Sequence, residues 1–124
     1  MAILVKIQER TIQTKTTVLQ SLKKMDETKV KMLFVYEGEQ FVSILTIGDI
    51  QRAIIKGVDM NQPVMSIIDL NKKFASPADS RESIREKMMA LRAECMPVVD
   101  EEGNLVDVYF WKEMFKHTEA QKRE

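Results

Sequence analysis

Met32-Leu33-Phe34-Val35-Tyr36, Glu37-Gly38-Glu39-Gln40, Phe41-Val42-Ser43-Ile44-Leu45 and Thr46-Ile47-Gly48-Asp49 follow one another without a break, and their order decides the fold. Two apolar runs rich in strand formers flank an acidic, glycine-containing turn, which is a β-hairpin signal. Ile47, Ile50, Ala53 and Ile54 then fall on one helical face, with Gly57 placed where a left-handed C-cap stops a helix. The same order returns downstream. Met96-Pro97-Val98-Val99 reads as a strand, Asp100-Glu101-Glu102-Gly103-Asn104 as a turn, Leu105-Val106-Asp107-Val108-Tyr109 as a strand, and a helix follows through Trp111, Met114 and Phe115. Phe34-Val35 matches Val98-Val99, Ile44-Leu45 matches Val108-Tyr109, and Asp49 matches Glu113, all at an offset of 64 residues.

Working outward, Thr16 or Thr17 caps a helix with Val18, Leu22 and Met25 at i, i+4, i+7 that fades into Asp26-Glu27-Thr28-Lys29. Ser80 stands likewise before Ile84, Met88 and Leu91, and a small gap is needed to bring these helices into the 64-residue register. Thr11-Ile12-Gln13 reads as extended, and Ile3, Leu4, Val5 and Ile7 as a short strand or lead-in. The chain is therefore an internal duplication of a β-α-β-β-α unit, of mixed α+β class. Residues 1–62 are read as the first repeat with its lead-in, 63–118 as the second, and 119–124 as a polar tail or a linker to a further domain. Each half is small for a core of its own, so the two are expected to pack together.

Composition narrows the chemistry. The 124 residues hold 19 Lys or Arg and 19 Asp or Glu, so zero formal charge leaves no broad basic footprint for nucleic acid or an anionic membrane. No stretch approaches the roughly 18 apolar residues that span a bilayer. With one cysteine, Cys95, there is no intrachain disulfide, and a reducing, cytoplasmic setting is expected. The single histidine, His117, falls in the polar tail, so no catalytic residue is assigned. Nine methionines give no metal site, because Met25, Met88 and Met96 fall on core faces, and Cys95 reads as a small buried hydrophobe.

Thr46-x-x-Asp49 supports two readings. As a capping box, the Thr46 hydroxyl accepts from a first-turn N–H while the Asp49 carboxylate reaches back to the cap. As an anion site, the same helix N-terminus meets a phosphate and Asp49 accepts from ribose hydroxyls. Gly48 in the first turn costs up to about 1 kcal/mol relative to alanine, and close approach of a ligand or strand would be a reason for it. Arg52, one turn on, adds a cation within reach of a phosphate.

A duplicated β-α-β-β-α unit with a strand, an acidic glycine turn, a strand and Thr-x-x-Asp resembles the CBS domain in its tandem or Bateman form. The resemblance covers roughly residues 11 to 116. It implies two repeats packed with pseudo-two-fold symmetry, an optional regulatory ligand (AMP, ADP, ATP or another purine nucleotide) between them, no required cofactor, and homodimers through CBS pairs. On the family pattern the nucleotide-binding residues are Thr46, Gly48, Asp49 and Arg52, with Ile12 and Gln13 from the extended segment and Lys31 and Met32 from the strand edge. The string from Thr46 to Gly57 with Pro63-Val64 is similar to the subgroup in which a CBS pair precedes a sugar-1-phosphate nucleotidyltransferase. That domain's Gly-rich loop is not found among Gly38, Gly48, Gly57 and Gly103, so the chain reads as a regulatory portion or as a stand-alone CBS protein.

The second repeat departs from the pattern. Phe110 and Glu113 stand where Thr46 and Asp49 stand, and Asp107 and Ser43 replace the glycine usual before this strand. At most one site per chain is therefore expected, around Asp49. The rival reading is a dimerisation scaffold without a ligand. An independent enzyme is disfavoured by the lack of a nucleophile with a His base, and by acidic Asp100, Glu101 and Glu102 lying in a turn.

Overall fold

The computed structural model describes residues 2–114, without the side chains of Ala2, Leu4 and Val5. Phe115, His117 and the polar tail lie outside the described residues. The chain forms two compact units, Met1–Lys72 and Lys73–Glu124. No helix among the described residues is long and apolar enough to cross a membrane.

In the first unit, α1 (Ala2–Ile7) and a 3₁₀ turn (Gln8–Arg10) lead into β1 (Thr11–Gln13), α2 (Val18–Thr28), β2 (Met32–Glu37), β3 (Gln40–Thr46) and α3 (Ile47–Ile55). The lead-in is thus a helix and not the strand expected from Ile3, Leu4, Val5 and Ile7. A short apolar run has no decisive period, and Ile3 and Ile7 sit one helical turn apart with Ile7 fully buried. The sheet order is β1-β2-β3, with β1 parallel and β3 antiparallel to β2. A core of Ile12, Val18, Met25, Leu33, Val35, Leu45, Ile50 and Val64 lies under α2 and α3. Ile54, expected on the buried face of α3, is 54% exposed, because Ile50 and Ala53 carry that face inward.

The segment after α3 packs on this unit. Gly57, at φ +77°, follows the helix as expected, and Val64 is buried in the core with Ile67 and Ile68 against it. The carbonyls of Gln62 and Met60 accept from the N–H groups of Val18 and Leu19, which the first turn of α2 leaves without helical partners. The first compact unit therefore runs ten residues past the repeat boundary read at residue 62.

The second unit holds α4 (Arg81–Leu91), β4 (Cys95–Val99) and β5 (Leu105–Phe110), with a helical turn at 111–114 where the described residues end. Its first strand is reduced to one parallel bridge, Ala75 with Val98. Ala75, Ile84, Met88, Met96, Val98 and Met114 form its core, with Tyr109 and Trp111 packed against it. Leu91, expected on the apolar stripe, is 67% exposed at the last position of α4. Met25, Met88, Met96 and Cys95 are buried as expected.

The duplication is written in backbone geometry. Thr17 caps α2 and Ser80 caps α4; Lys29 and Arg92 close these helices in the left-handed region at φ 59° and 52°. Val30 N–H donates to Met25 and Ala93 N–H to Met88; Ile12 pairs with Val35 and Ala75 with Val98. Each hairpin carries a bulge, at Val35/Tyr36 and at Val98/Val99. All these pairs stand 63 residues apart, while Leu45 and Tyr109, and Ile47 and Trp111, stand 64 apart. The gap expected before the strand therefore falls in the hairpin turn. Four residues separate paired Tyr36 and Phe41, and five separate Val99 and Leu105.

Left-handed Lys29 and Arg92 are both exposed non-glycine residues. Lys29→Gly and Arg92→Gly should each stabilise folding by about 0.5 kcal/mol, since relief of the Cβ clash exceeds the added unfolded-chain entropy. Thermal midpoints of the two variants check this.

Candidate functional site

The β3–α3 junction assembles the site. β3 ends at Thr46, whose φ of −105° and ψ of 162° keep it extended while Ile47 begins the helix. Ile47 N–H, which the helix itself leaves without a partner, donates to the carbonyl of Lys31 on the neighbouring strand's approach, at 3.0 Å. The Thr46 hydroxyl accepts from Asp49 N–H at 3.2 Å, and Thr46 N–H donates to Asp49 Oδ2 at 2.8 Å. The capping box is therefore formed.

The cap does not exhaust the Asp49 carboxylate. Its side chain is 4% exposed, and two cations reach it: Arg52 Nη2 at 2.8 Å from Oδ1 and Lys72 Nζ at 2.6 Å from Oδ2. The Arg52 side chain is 64% exposed and that of Lys72 17%, so Lys72 is the more enclosed partner. Burial pushes the Asp49 pKa up. The Lys72 hydrogen bond, the Thr46 N–H, the Lys72 charge and the Thr46 side chain outweigh burial and hold the carboxyl below the ordinary value of 3.8. A cleft of about 360 Å³ opens beside it, lined by Asp49 and Arg52 from α3, by its C-cap Lys56, and by Ser66, Ile67 and Asp69 from the segment that follows.

Thr46, Gly48, Asp49 and Arg52 are thus brought together, and Met32 and Lys31 lie at the same end of β2, where Met32 pairs with Thr46. Met32 is buried, and Lys31 instead helps line an apolar cleft of about 490 Å³ with Leu22, Met25, Val30 and Ile47. Ile12 belongs to the core. Gln13 pairs with Tyr36, near the far end of β2 and about 13 Å along the strand from Met32. There its side-chain amide accepts from Gly38 N–H at 2.7 Å and donates to the Gly38 carbonyl at 3.2 Å. Lys72 is absent from the sequence-based set: Asn71-Lys72-Lys73 carries no local signal, and its partner lies 23 residues back.

A Cβ at Gly48 would meet the Arg52 guanidinium at 3.4 Å and Thr46 Oγ1 at 3.6 Å, which is ordinary contact. Neither strand nor side chain in the structure requires glycine there. In the second unit Phe110 and Trp111 hold the junction, with Trp111 N–H donating to the Glu94 carbonyl at 2.9 Å as Ile47 does to Lys31. Phe110 brings no hydroxyl, and Glu113 is exposed. Among the described residues no group of three or more His, Cys, Asp or Glu is placed to hold a metal ion.

Residues 7–56, from the lead-in through α3, match a protein-family model. That model is the one for the CBS domain, and it covers the first repeat alone. No curated protein matches the chain. Solved structures with CBS domains share its fold. One from Burkholderia ambifaria MC40-6, described as a signal-transduction protein with CBS domains, is 22% identical, with 90% of this chain and 83% of that one covered and a TM-score of 0.72. CBSX2 in complex with AMP is 19% identical, with 91% and 89% covered and a TM-score of 0.69. A CBS domain protein from Pyrobaculum aerophilum complexed with AMP is 20% identical, with 83% and 80% covered and a TM-score of 0.65. These likenesses, with the duplicated backbone, show the fold that the chain shares with paired CBS domains.

A carboxyl whose folded pKa lies below its unfolded value adds stability that is fully present above the unfolded value and is lost as pH falls through the folded one. Asp49→Asn keeps an acceptor for Thr46 N–H but loses the charge. The stability gap between wild type and this variant should be largest near neutral pH and close on acidification below about pH 4. Urea denaturation from pH 7 to 3 measures it; a gap independent of pH would contradict the assignment.

Proposed function

We propose that the chain is a regulatory, nucleotide-sensing CBS module that binds an adenine or other purine nucleotide at the Thr46–Asp49 junction. The observation that carries this reading is the buried Asp49 carboxylate at the start of α3, opening on a cleft that Arg52 and Lys56 also line. The carboxylate suits a ribose diol, and the cations with the helix N-terminus suit a phosphate. The AMP complexes of two structures with the same fold point to the same ligand class. At the second junction Phe110 brings no hydroxyl and the Glu113 side chain is exposed, so one site per chain is proposed.

The module's role is regulatory and non-catalytic, in a cytoplasmic protein that dimerises through its CBS repeats. The Thr46-to-Gly57 string supports an N-terminal position before a sugar-phosphate nucleotidyltransferase, whose activity or assembly the ligand would bias. Such control works by linkage, since a ligand shifts an equilibrium only by its preference for one state over the other.

Calorimetry with AMP, ADP, ATP, GTP and CTP tests the reading. A purine nucleotide should bind with one site per chain, and Asp49→Asn should weaken it at least tenfold, about 1.4 kcal/mol. A stable dimer indifferent to all five nucleotides would favour the scaffold reading. Gly48→Ala separates cap from ligand: it should stabilise the fold by about 0.5–1 kcal/mol, yet weaken nucleotide binding where the ligand approaches that backbone. Unchanged affinity in both variants would exclude this site.

A further inference from the structure

Residues 63–72 are held to the first unit by a graded set of ties. Val64 is fully buried, and Ile67 and Ile68 pack against the core. Ser43, itself 1% exposed, donates its hydroxyl to the Asp69 carbonyl at 3.0 Å. Asn71 N–H donates to Asp69 Oδ1 at 2.8 Å, closing a short turn. Beyond that turn Lys72 reaches back to Asp49 Oδ2, and Lys72 is the last residue of the first compact unit.

The tie occupies the atom a ligand would need. A carboxylate offers about four lone-pair positions, two on each oxygen. On Oδ2 one is taken by Thr46 N–H and one by Lys72; on Oδ1 one is taken by Arg52. A vicinal diol that donates to both oxygens therefore finds room on Oδ1 and none on Oδ2. The Thr46 bond belongs to the helix cap. Lys72 is the partner that can leave, its ammonium regaining water as it does.

We propose that Lys72 is a latch competing with ligand for the Asp49 carboxylate, so that a diol-bearing nucleotide seated on Asp49 frees residues 70–72 from the first unit. This rests on the nucleotide reading of the site. The Ser43–Asp69 anchor sets the upstream limit of what is freed, so the release is confined to the stretch immediately before the second unit. Ligand binding is thereby converted into a change in the inter-unit connection, at the cost of some apparent affinity.

The test uses the full 124-residue chain as wild type, Lys72→Gln and Lys72→Arg, with AMP as probe. Calorimetry gives affinity, and hydrogen exchange read by mass spectrometry follows residues 67–75. Lys72→Gln should bind AMP several-fold more tightly, and Lys72→Arg should stay near wild type. In wild type, AMP should speed exchange at 70–72 and leave 64–69 unchanged; in Lys72→Gln exchange at 70–72 should already be fast and indifferent to AMP. Weaker binding by Lys72→Gln would make Lys72 a ligand contact and overturn the latch. If AMP binds none of the three proteins, the nucleotide reading fails by itself. The exchange comparison without AMP then decides the tie: faster exchange at 70–72 in Lys72→Gln upholds it, and equal exchange overturns it.

Discussion

A carboxylate that is almost fully enclosed has to be neutralised where it stands, and Asp49 meets that demand in a way that organises the first unit. Its side chain is 4% exposed, so water cannot solvate both oxygens. One oxygen takes the Thr46 N–H, which fixes the point where β3 ends and α3 begins. The remaining positions take Arg52 from the same helix and Lys72 from the far end of the unit. Exposed ion pairs contribute little to stability, and the Arg52 arm belongs to that class. Lys72 differs, because removing it would leave a buried charge short of a partner.

The second unit shows what the same backbone does with an exposed Glu113 in place of the buried Asp49. The helix caps, left-handed closures, bulges and strand-to-helix hydrogen bond recur, so the scaffold does not depend on Thr46 or Asp49. What changes is the junction, where Phe110 fills the cap position and the half-buried Tyr109 and Trp111 pack on the core. Arg81, at the start of α4, lies 5.8 Å from the centre of the Tyr109 ring. Apolar packing and a cation–π contact thus hold the aromatic side of the second junction, where the first unit has the Thr46 cap.

Much of this was legible in the chain. The hairpins, the Thr17 and Ser80 caps, Gly57 and the duplication all rest on local period and turn chemistry, which act over a few residues. The lead-in was not legible, because Ile3-Leu4-Val5-Lys6-Ile7 is too short for period to separate strand from helix. Nor was the position of the gap, since a constant offset matched apolar pairs on either side of a turn that had gained one residue. Of the site, the Thr46–Asp49 cap was visible as a motif, whereas Lys72 was invisible: a lysine in a polar stretch carries no mark of a partner 23 residues away. Gln13 is the opposite case, a motif position whose amide meets the backbone of the Gly38 turn.

Ser43 shows how one side chain joins scaffold to site. A glycine there, usual in the family the sequence resembles, would leave the Asp69 carbonyl without the hydroxyl that meets it at 3.0 Å. Because Ser43 is 1% exposed, its hydroxyl needs a partner inside the protein, and the Asp69 carbonyl held against β3 supplies it. That anchor brings the chain to within three residues of Lys72, which shortens the free stretch the ammonium must search to find Asp49. Burial of one hydroxyl and one carboxylate on neighbouring elements thus fixes both ends of the same short segment. The two ties differ in kind: the Ser43 hydroxyl meets a backbone carbonyl, while Lys72 shares its carboxylate oxygen with the Thr46 N–H.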